Sequence, residues 1–309
     1  MASAHGGRGA LPEVPDDLDA ALARYFGDEG RAFSEALPAR VTALADRWSL
    51  ELGEPLTGAR TAFVAPCRRP DGTSAVLRVA FPEQHPAGEA AALSAWGGEG
   101  SVRLLEHDEG ERALLVERCL PGTHLSAGEA ADSVLAIGAR LLRRLWRRGP
   151  GNGPYLRLEA LAGRRAGEAE ERRERLPRAM DATLVDEGIA LWRELPQSGG
   201  ELLLHGDLQP RNILAAAREP WLVIDPKPLL GDPAYEPVPL VLEAGGTAEG
   251  PEIARRVRAV SGPLALEPAR VAAWGVARSV DWALFLAERG DPAGSGQAAA
   301  AARAFAALL

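Results

Sequence analysis

Three polar residues that together can move a phosphoryl group fall within residues 202–232, LLLHGDLQPRNILAAAREPWLVIDPKPLLGD. An apolar run breaks at His205-Gly206 and delivers Asp207; Asn212 follows five residues later, ahead of Ile213-Leu214; a second apolar run, 221–224, delivers Asp225. Two short strands joined by a turn through 217–220 would gather the three side chains. A carboxylate able to take a proton, an amide oxygen and a second carboxylate are what metal-assisted phosphoryl transfer requires. Asp207 would align the attacking hydroxyl, while Asn212 and Asp225 would hold Mg²⁺ through hard oxygen ligands. Taken singly, these residues read as a turn former, a cap and a solvated strand end. Their joint spacing beside apolar β runs favours the chemical reading. His205 reads as a hydrogen-bonding buttress of the loop.

The rest of the chain supplies elements to position that stretch. Residues 16–27 form an amphipathic helical pattern with Leu18, Leu22 and Phe26 on one face, and a second runs from 28 to 48, broken or bent near Pro38. The period then changes. Residues 50–56, 59–67 and 74–81 read as a three-stranded antiparallel meander, punctuated by Gly58 and Asp71-Gly72. A helix carrying Glu89 follows over 85–96, then two more strands at 102–105 and 113–117. The Pro-Gly stop at 118–122 ends the sheet as a hinge. Beyond it the pattern is mainly helical: a capping box at 126–129 opening a helix to about 148, a loop at 149–154, and helices near 156–176, 180–195, 249–260, 267–289 and 294–308. The expectation is an α+β chain with a loose segment 1–15, a β lobe over 16–117, the hinge, and a helical lobe over 123–309.

Composition agrees with a globular protein. Of 309 residues, 46% are hydrophobic and 25% charged, and the formal charge of −8 disfavours a nucleic-acid partner. There is neither a membrane-length apolar run nor a secretory leader pattern. Two widely spaced cysteines, Cys67 and Cys119, suit free thiols in a cytoplasm. Lys227 is the sole lysine.

A β lobe with one helix, a hinge, and a helical lobe carrying HGD-x4-N and a downstream ID resemble the protein-kinase-like fold. HGDLQPRN with IDPKPLLGDP is similar to the aminoglycoside phosphotransferase branch, and within it to the streptomycin 6-kinase and hydroxyurea phosphotransferase group. AWGGEGSVRLLEHDEG at 95–110 and REPWLVIDPKPLLGDPAYEP at 218–237 support this, and the resemblance spans about residues 16–290. It implies ATP and Mg²⁺ as cofactors and a small hydroxylated acceptor, an aminoglycoside such as streptomycin or else hydroxyurea or another sugar or secondary metabolite. It gives no oligomeric state.

The resemblance also implies a nucleotide site. Kinases of this fold carry a lysine on the third strand, paired with a helix glutamate; here Arg78 occupies that position, and Glu89 is the implied partner. Three readings stand: Arg78 does the lysine's work, Lys227 supplies the missing cation, or the chain is weakened as a kinase. Thr57 and Gly58 lie in the phosphate-covering loop, which lacks a G-x-G-x-x-G pattern, and Glu117 to Cys119 would meet adenine through the backbone. Gln209 stands where relatives often carry histidine or lysine and could contact phosphate or acceptor, or cap the loop. Asp232 resembles a loop-stabilising aspartate, and Glu236 replaces an aspartate of the group. On the helix at 267–289, Asp281 and Glu288 could attract a cationic acceptor and Trp282 could stack on it, with Trp274 and Arg278 at matching spacing; the plainer alternative is core tryptophans with a solvated acidic face. The rival class is a nucleotide-binding pseudokinase, motivated by Arg78 and the glycine-poor loop.

Overall fold

A computed structural model describes residues 12–82, 88–125, 129–148, 153–198, 200–246 and 250–309. Most of the expected loose N-terminus, the start of the 85–96 helix, most of the 126–129 capping box and most of the 149–154 loop lie outside these residues. The chain forms two compact units, one from residues 1–84 and 103–118, the other from 85–102 and 119–309.

The first unit is a helix-backed sheet. Helix α1, Asp16–Trp48, is interrupted at Gly27, whose φ of 58° takes the chain out of helical geometry. The break therefore falls at Gly27 and not at Pro38, which sits inside the continued helix. Strands β1 (Glu51–Leu52), β2 (Ala62–Arg68), β3 (Ser74–Ala80), β4 (Leu104–Asp108) and β5 (Ala113–Glu117) pair antiparallel in the order β1-β2-β3-β5-β4. The expected first strand over 50–56 shrinks to two residues, because after Gly53 the chain keeps only single bonds, such as Leu56 N–H to Val64 O at 2.8 Å. Alternation puts Phe63, Ala65, Leu77, Val79 and Leu115 on one face, against Leu18, Leu22, Leu37, Val41 and Leu44 of α1. That shared apolar layer is the unit's core.

The second unit begins with helix α2 (Glu89–Trp96), which was expected to belong to the first lobe. It packs here because Trp96 is fully buried, donates its indole N–H to Leu145 O at 2.9 Å, and stacks parallel to His205. Helix α3 (Ala131–Leu145), strands β6 (Arg147–Arg148) and β7 (Leu156–Arg157), and helices α4 (Leu158–Arg175) and α5 (Ala182–Glu194) follow. Next come β8 (Leu202–Leu204), β9 (Ile213–Ala215), β10 (Trp221–Val223) and β11 (Leu229–Gly231). Helices α6 (Val238–Glu243), α7 (Gly250–Leu264), α8 (Pro268–Glu288) and α9 (Pro292–Ala306) complete the unit. Among the described residues, no helix is long and apolar enough to cross a membrane.

The stretch 202–232 is two nested antiparallel pairs. The inner hairpin joins β9 to β10, with Ile213 opposite Val223. The outer pair joins β8 to β11, with Leu204 opposite Leu229, in a four-stranded sheet ordered β6-β8-β11-β7. The expected single hairpin is thus the inner half only. Nesting makes the segments 205–212 and 224–228 face each other, which a lone hairpin would not do.

Candidate active site

Backbone bonds sew those two segments together: Lys227 N–H to His205 O at 2.7 Å and Ile224 N–H to Asn212 O at 2.9 Å. The approach is close enough to require glycine at 206. Its φ is 81°, and a Cβ there would lie 1.9 Å from Lys227 O. Asp225 also has positive φ, 54°, a conformation in which aspartate is among the more tolerated side chains.

His205 is fully buried and holds the loop from within. Its Nε2 lies 3.0 Å from Ile224 O and its Nδ1 is 3.3 Å from the Asp207 N–H. Burial pushes its pKa down to about 4, so the ring is neutral. The neutral tautomer that satisfies both contacts donates from Nε2 and accepts at Nδ1. Below it, Glu236 is 1% exposed and accepts the N–H of His205 at 2.8 Å on one oxygen and of Gly206 at 2.6 Å on the other. Desolvation raises its pKa to about 7, against the lowering effect of those two N–H bonds and of Arg278.

Asp207 emerges from this frame half-buried. Gln209 donates its Nε2 to both carboxylate oxygens at 2.8 Å, and Asn212 donates Nδ2 to Asp207 O at 2.9 Å. Burial raises the Asp207 pKa, opposed first by the Gln209 bond and then by Arg278. With its amide nitrogen so engaged, Asn212 has Oδ1 left to face a cation. The Lys227 ammonium sits 3.3 Å from Asp225 Oδ1. Among the described residues, no cluster of three or more His, Cys, Asp or Glu stands ready to hold a metal. Two hard oxygen donors, one amide and one carboxylate, are ligand types that would suit Mg²⁺.

Asp207 opens onto a cleft of about 800 Å³ within the second unit, lined among others by Arg165, Tyr235, Glu243, Arg278, Asp281 and Trp282. The Arg278 guanidinium lies 4.2 Å from the Tyr235 ring centroid and donates to Tyr235 O at 3.0 Å. Asp281 is buried and bonded by Arg172 at 3.1 Å, with Arg165 at 3.6 Å; burial raises its pKa against those two cations. Glu288 pairs with Arg172 at 3.0 Å and Arg175 at 2.6 Å. Trp282 is 54% exposed and stacks on Phe285, centroids 5.1 Å apart. Trp274 belongs to the core, and with Arg270 it donates to Asp232, which also accepts the Ala234 N–H and so braces its turn. Glu243, at the end of α6, carries no side-chain hydrogen bond or ion pair among the described residues. No motif marks it, so sequence reasoning passed it by.

The residues expected to meet nucleotide fall in both units. Arg78 occupies the middle of β3, between Val64 and Leu114 on the neighbouring strands. Thr57 and Gly58 lie between β1 and β2, where the Gly58 N–H donates to Asp17 at 2.5 Å. Glu117 ends β5 and accepts the Arg103 N–H at 3.2 Å. In the second unit, Glu89 is the first residue of α2 and Cys119 is buried.

A family profile described as aminoglycoside/hydroxyurea antibiotic resistance kinase matches residues 47–290. The chain is 40% identical to a hydroxyurea phosphotransferase of Kitasatospora aureofaciens, covering 92% of this chain and 83% of that one. It is 36% identical to a streptomycin 6-kinase of Streptomyces griseus, covering 90% and 92%. Among solved structures it is similar to the choline kinase LicA from Streptococcus pneumoniae, with a TM-score of 0.60 at 14% identity, over 89% of this chain and 99% of that one. It is also similar to an aminoglycoside phosphotransferase solved with ADP and hygromycin B, with a TM-score of 0.56 at 15% identity, over 85% and 97%. These likenesses carry the protein-kinase-like fold.

Proposed function

The chain belongs to the aminoglycoside/hydroxyurea antibiotic resistance kinase family, a family of small-molecule phosphotransferases, and from that footing we propose that it moves the γ-phosphate of ATP to a hydroxyl of an aminoglycoside such as streptomycin. The observation that carries the proposal is Asp207, held in place at the edge of a cleft of about 800 Å³. Such a volume suits a multi-ring acceptor, and hydroxyurea would fill a small fraction of it.

In this reading Asp207 orients the acceptor hydroxyl and takes its proton, while Asn212 and Asp225 would hold Mg²⁺. The metal, when bound, neutralises charge on the phosphates being transferred. Arg78, Thr57 and Gly58 would bind phosphate, with Glu89 as the carboxylate partner of Arg78, and the backbone of 117–119 would meet adenine. Lys227 stays close to Asp225 as a second cation. On the acceptor side, the cation-recognising role moves from Asp281 and Glu288, both already gripped by arginines, to Glu243. Trp282 offers an exposed aromatic face to a sugar ring. Two buried cysteines that form no disulfide suit a reducing cytoplasm.

Hydroxyurea is the second reading, favoured by the relative at 40% identity. One experiment separates them: ATP consumption measured against an aminoglycoside panel and hydroxyurea, with Asp207→Ala and Glu243→Gln variants. We expect turnover with streptomycin. Asp207→Ala should lose roughly 10²- to 10⁴-fold in kcat, the usual range for a positioned general base. Glu243→Gln should raise KM for the cationic acceptor while leaving KM for ATP alone. Turnover of hydroxyurea alone, or wild-type rates in Asp207→Ala, would replace this reading.

A further inference from the structure

We propose that Gln209 is the positioning residue of the reaction, locking the Asp207 carboxylate into the orientation from which it addresses the acceptor hydroxyl; this rests on the assignment of Asp207 as the proton acceptor. Among the described residues, only Gln209 and Asn212 reach that carboxylate with their side chains. Asn212 does so weakly, at 3.4 Å to Oδ2. Gln209 Nε2 lies 2.8 Å from both oxygens. The identity of the facing atom is forced, since an amide oxygen turned toward two carboxylate oxygens would be repelled.

The tether has a rigid base. Gln209 is buried, its own N–H donates to Asp207 O at 3.0 Å, and its carbonyl accepts the Asn212 N–H at 2.8 Å. Pro210 follows at the first position of the short 3-10 turn Pro210–Asn212, which fixes the backbone from which the amide reaches back. An aspartate side chain left alone at the mouth of a cleft would rotate about its two torsions. One donor shared between its oxygens removes that freedom and leaves outer lone pairs on each for the acceptor. Because the donor is neutral, it restrains the carboxylate without placing a competing cation beside the transferred phosphate.

The test is a substitution series with three readouts. Gln209→Met keeps the volume and removes the donor, Gln209→His restores a ring N–H, and Gln209→Glu keeps the shape and repels the carboxylate. We would measure kcat and KM for ATP and acceptor, ATP hydrolysis with water as acceptor, and a crystal structure of each variant. Loss of one hydrogen bond to a charged group predicts a fall in kcat of roughly 10- to 100-fold in Gln209→Met, with KM unchanged. Gln209→Glu should fall below Met and Gln209→His should rise above it. The Asp207 carboxylate should occupy more than one rotamer in Gln209→Met. An unchanged kcat, a loss confined to KM, or a single wild-type rotamer in Gln209→Met would overturn the proposal. Asp207→Asn distinguishes the underlying assignment. If Asp207→Asn turns over normally, the proton-acceptor role falls and Gln209 with it. If it is inert while Gln209→Met is unimpaired, only the positioning role falls.

Discussion

Beneath the Asp207 loop, two buried titratable residues hold protons in opposite senses. Glu236 is raised from its ordinary 4.5 to about 7, so the folded chain keeps a proton that the unfolded chain releases across that window. Its contribution to stability is present below pH 4.5 and is lost as pH rises through 7. His205 is lowered from 6.5 to about 4, so its contribution is present above 6.5 and is lost as pH falls through 4. Between pH 4.5 and 6.5 the folded and unfolded chains therefore bind the same number of protons at these two residues, and their slopes cancel. Glu236→Gln should unmask the histidine: its stability should climb with pH across that window, by up to roughly 1.4 kcal/mol per pH unit, relative to wild type. Urea midpoints measured from pH 4.5 to 6.5 check this. Parallel profiles in variant and wild type would show that the two groups are not coupled to folding in this way.

At the scale of elements, everything turns on the nesting of β9–β10 inside β8–β11. The crossing point is Gly206. An added methyl there would meet the Lys227 backbone, its carbonyl oxygen at 1.9 Å and carbonyl carbon at 2.9 Å, which cannot swing away as the end of a side chain could. Gly206→Ala should cost about 2–4 kcal/mol, above the usual single-site effect, and should abolish turnover even in the fraction that folds. Thermal melting and activity per folded molecule separate the two effects. The sequence reading reached the inner hairpin, because Asp207, Asn212 and Asp225 are spaced by local rules and flanked by apolar runs. It missed the outer pairing, because three-residue strands carry too little alternation to announce a partner. It also left Gln209 open among several contacts, since rotamer and burial decide which neighbour an amide meets. The arginine clamp on Asp281 was hidden for another reason: Arg172 and Asp281 are 109 residues apart, and helical spacing marks a face without naming what covers it.

At the scale of the whole molecule, the five-stranded sheet, its helices and the helical remainder were legible from changes of hydrophobic period. The affiliation of α2 was not, because it depends on contacts far apart in sequence: Trp96 seated against His205 and Leu145, and the backbone bonds of Gly100 and Val102 to Val223. That seating has a consequence for how the polypeptide can be divided. The chain passes between its two units at 84/85, 102/103 and 118/119, so a cut at 118/119 severs the polypeptide without separating the units. Fragment 119–309 would lack Trp96, whose loss alone is worth about 3–5 kcal/mol. It would also lack the Val102 bond to Val223, which lies beside the inner hairpin. Against a typical total stability of about 5–15 kcal/mol, that deficit leaves the fragment marginal. Fragments 1–118 and 119–309 produced together should copurify and recover phosphotransferase activity, whereas 119–309 alone should bind a hydrophobic dye and show little native hydrogen-exchange protection. Independent, stable folding of 119–309 would contradict this. Residues 88–102 thus stand to the second unit as an intramolecular peptide ligand, contributed from within the sequence of the first.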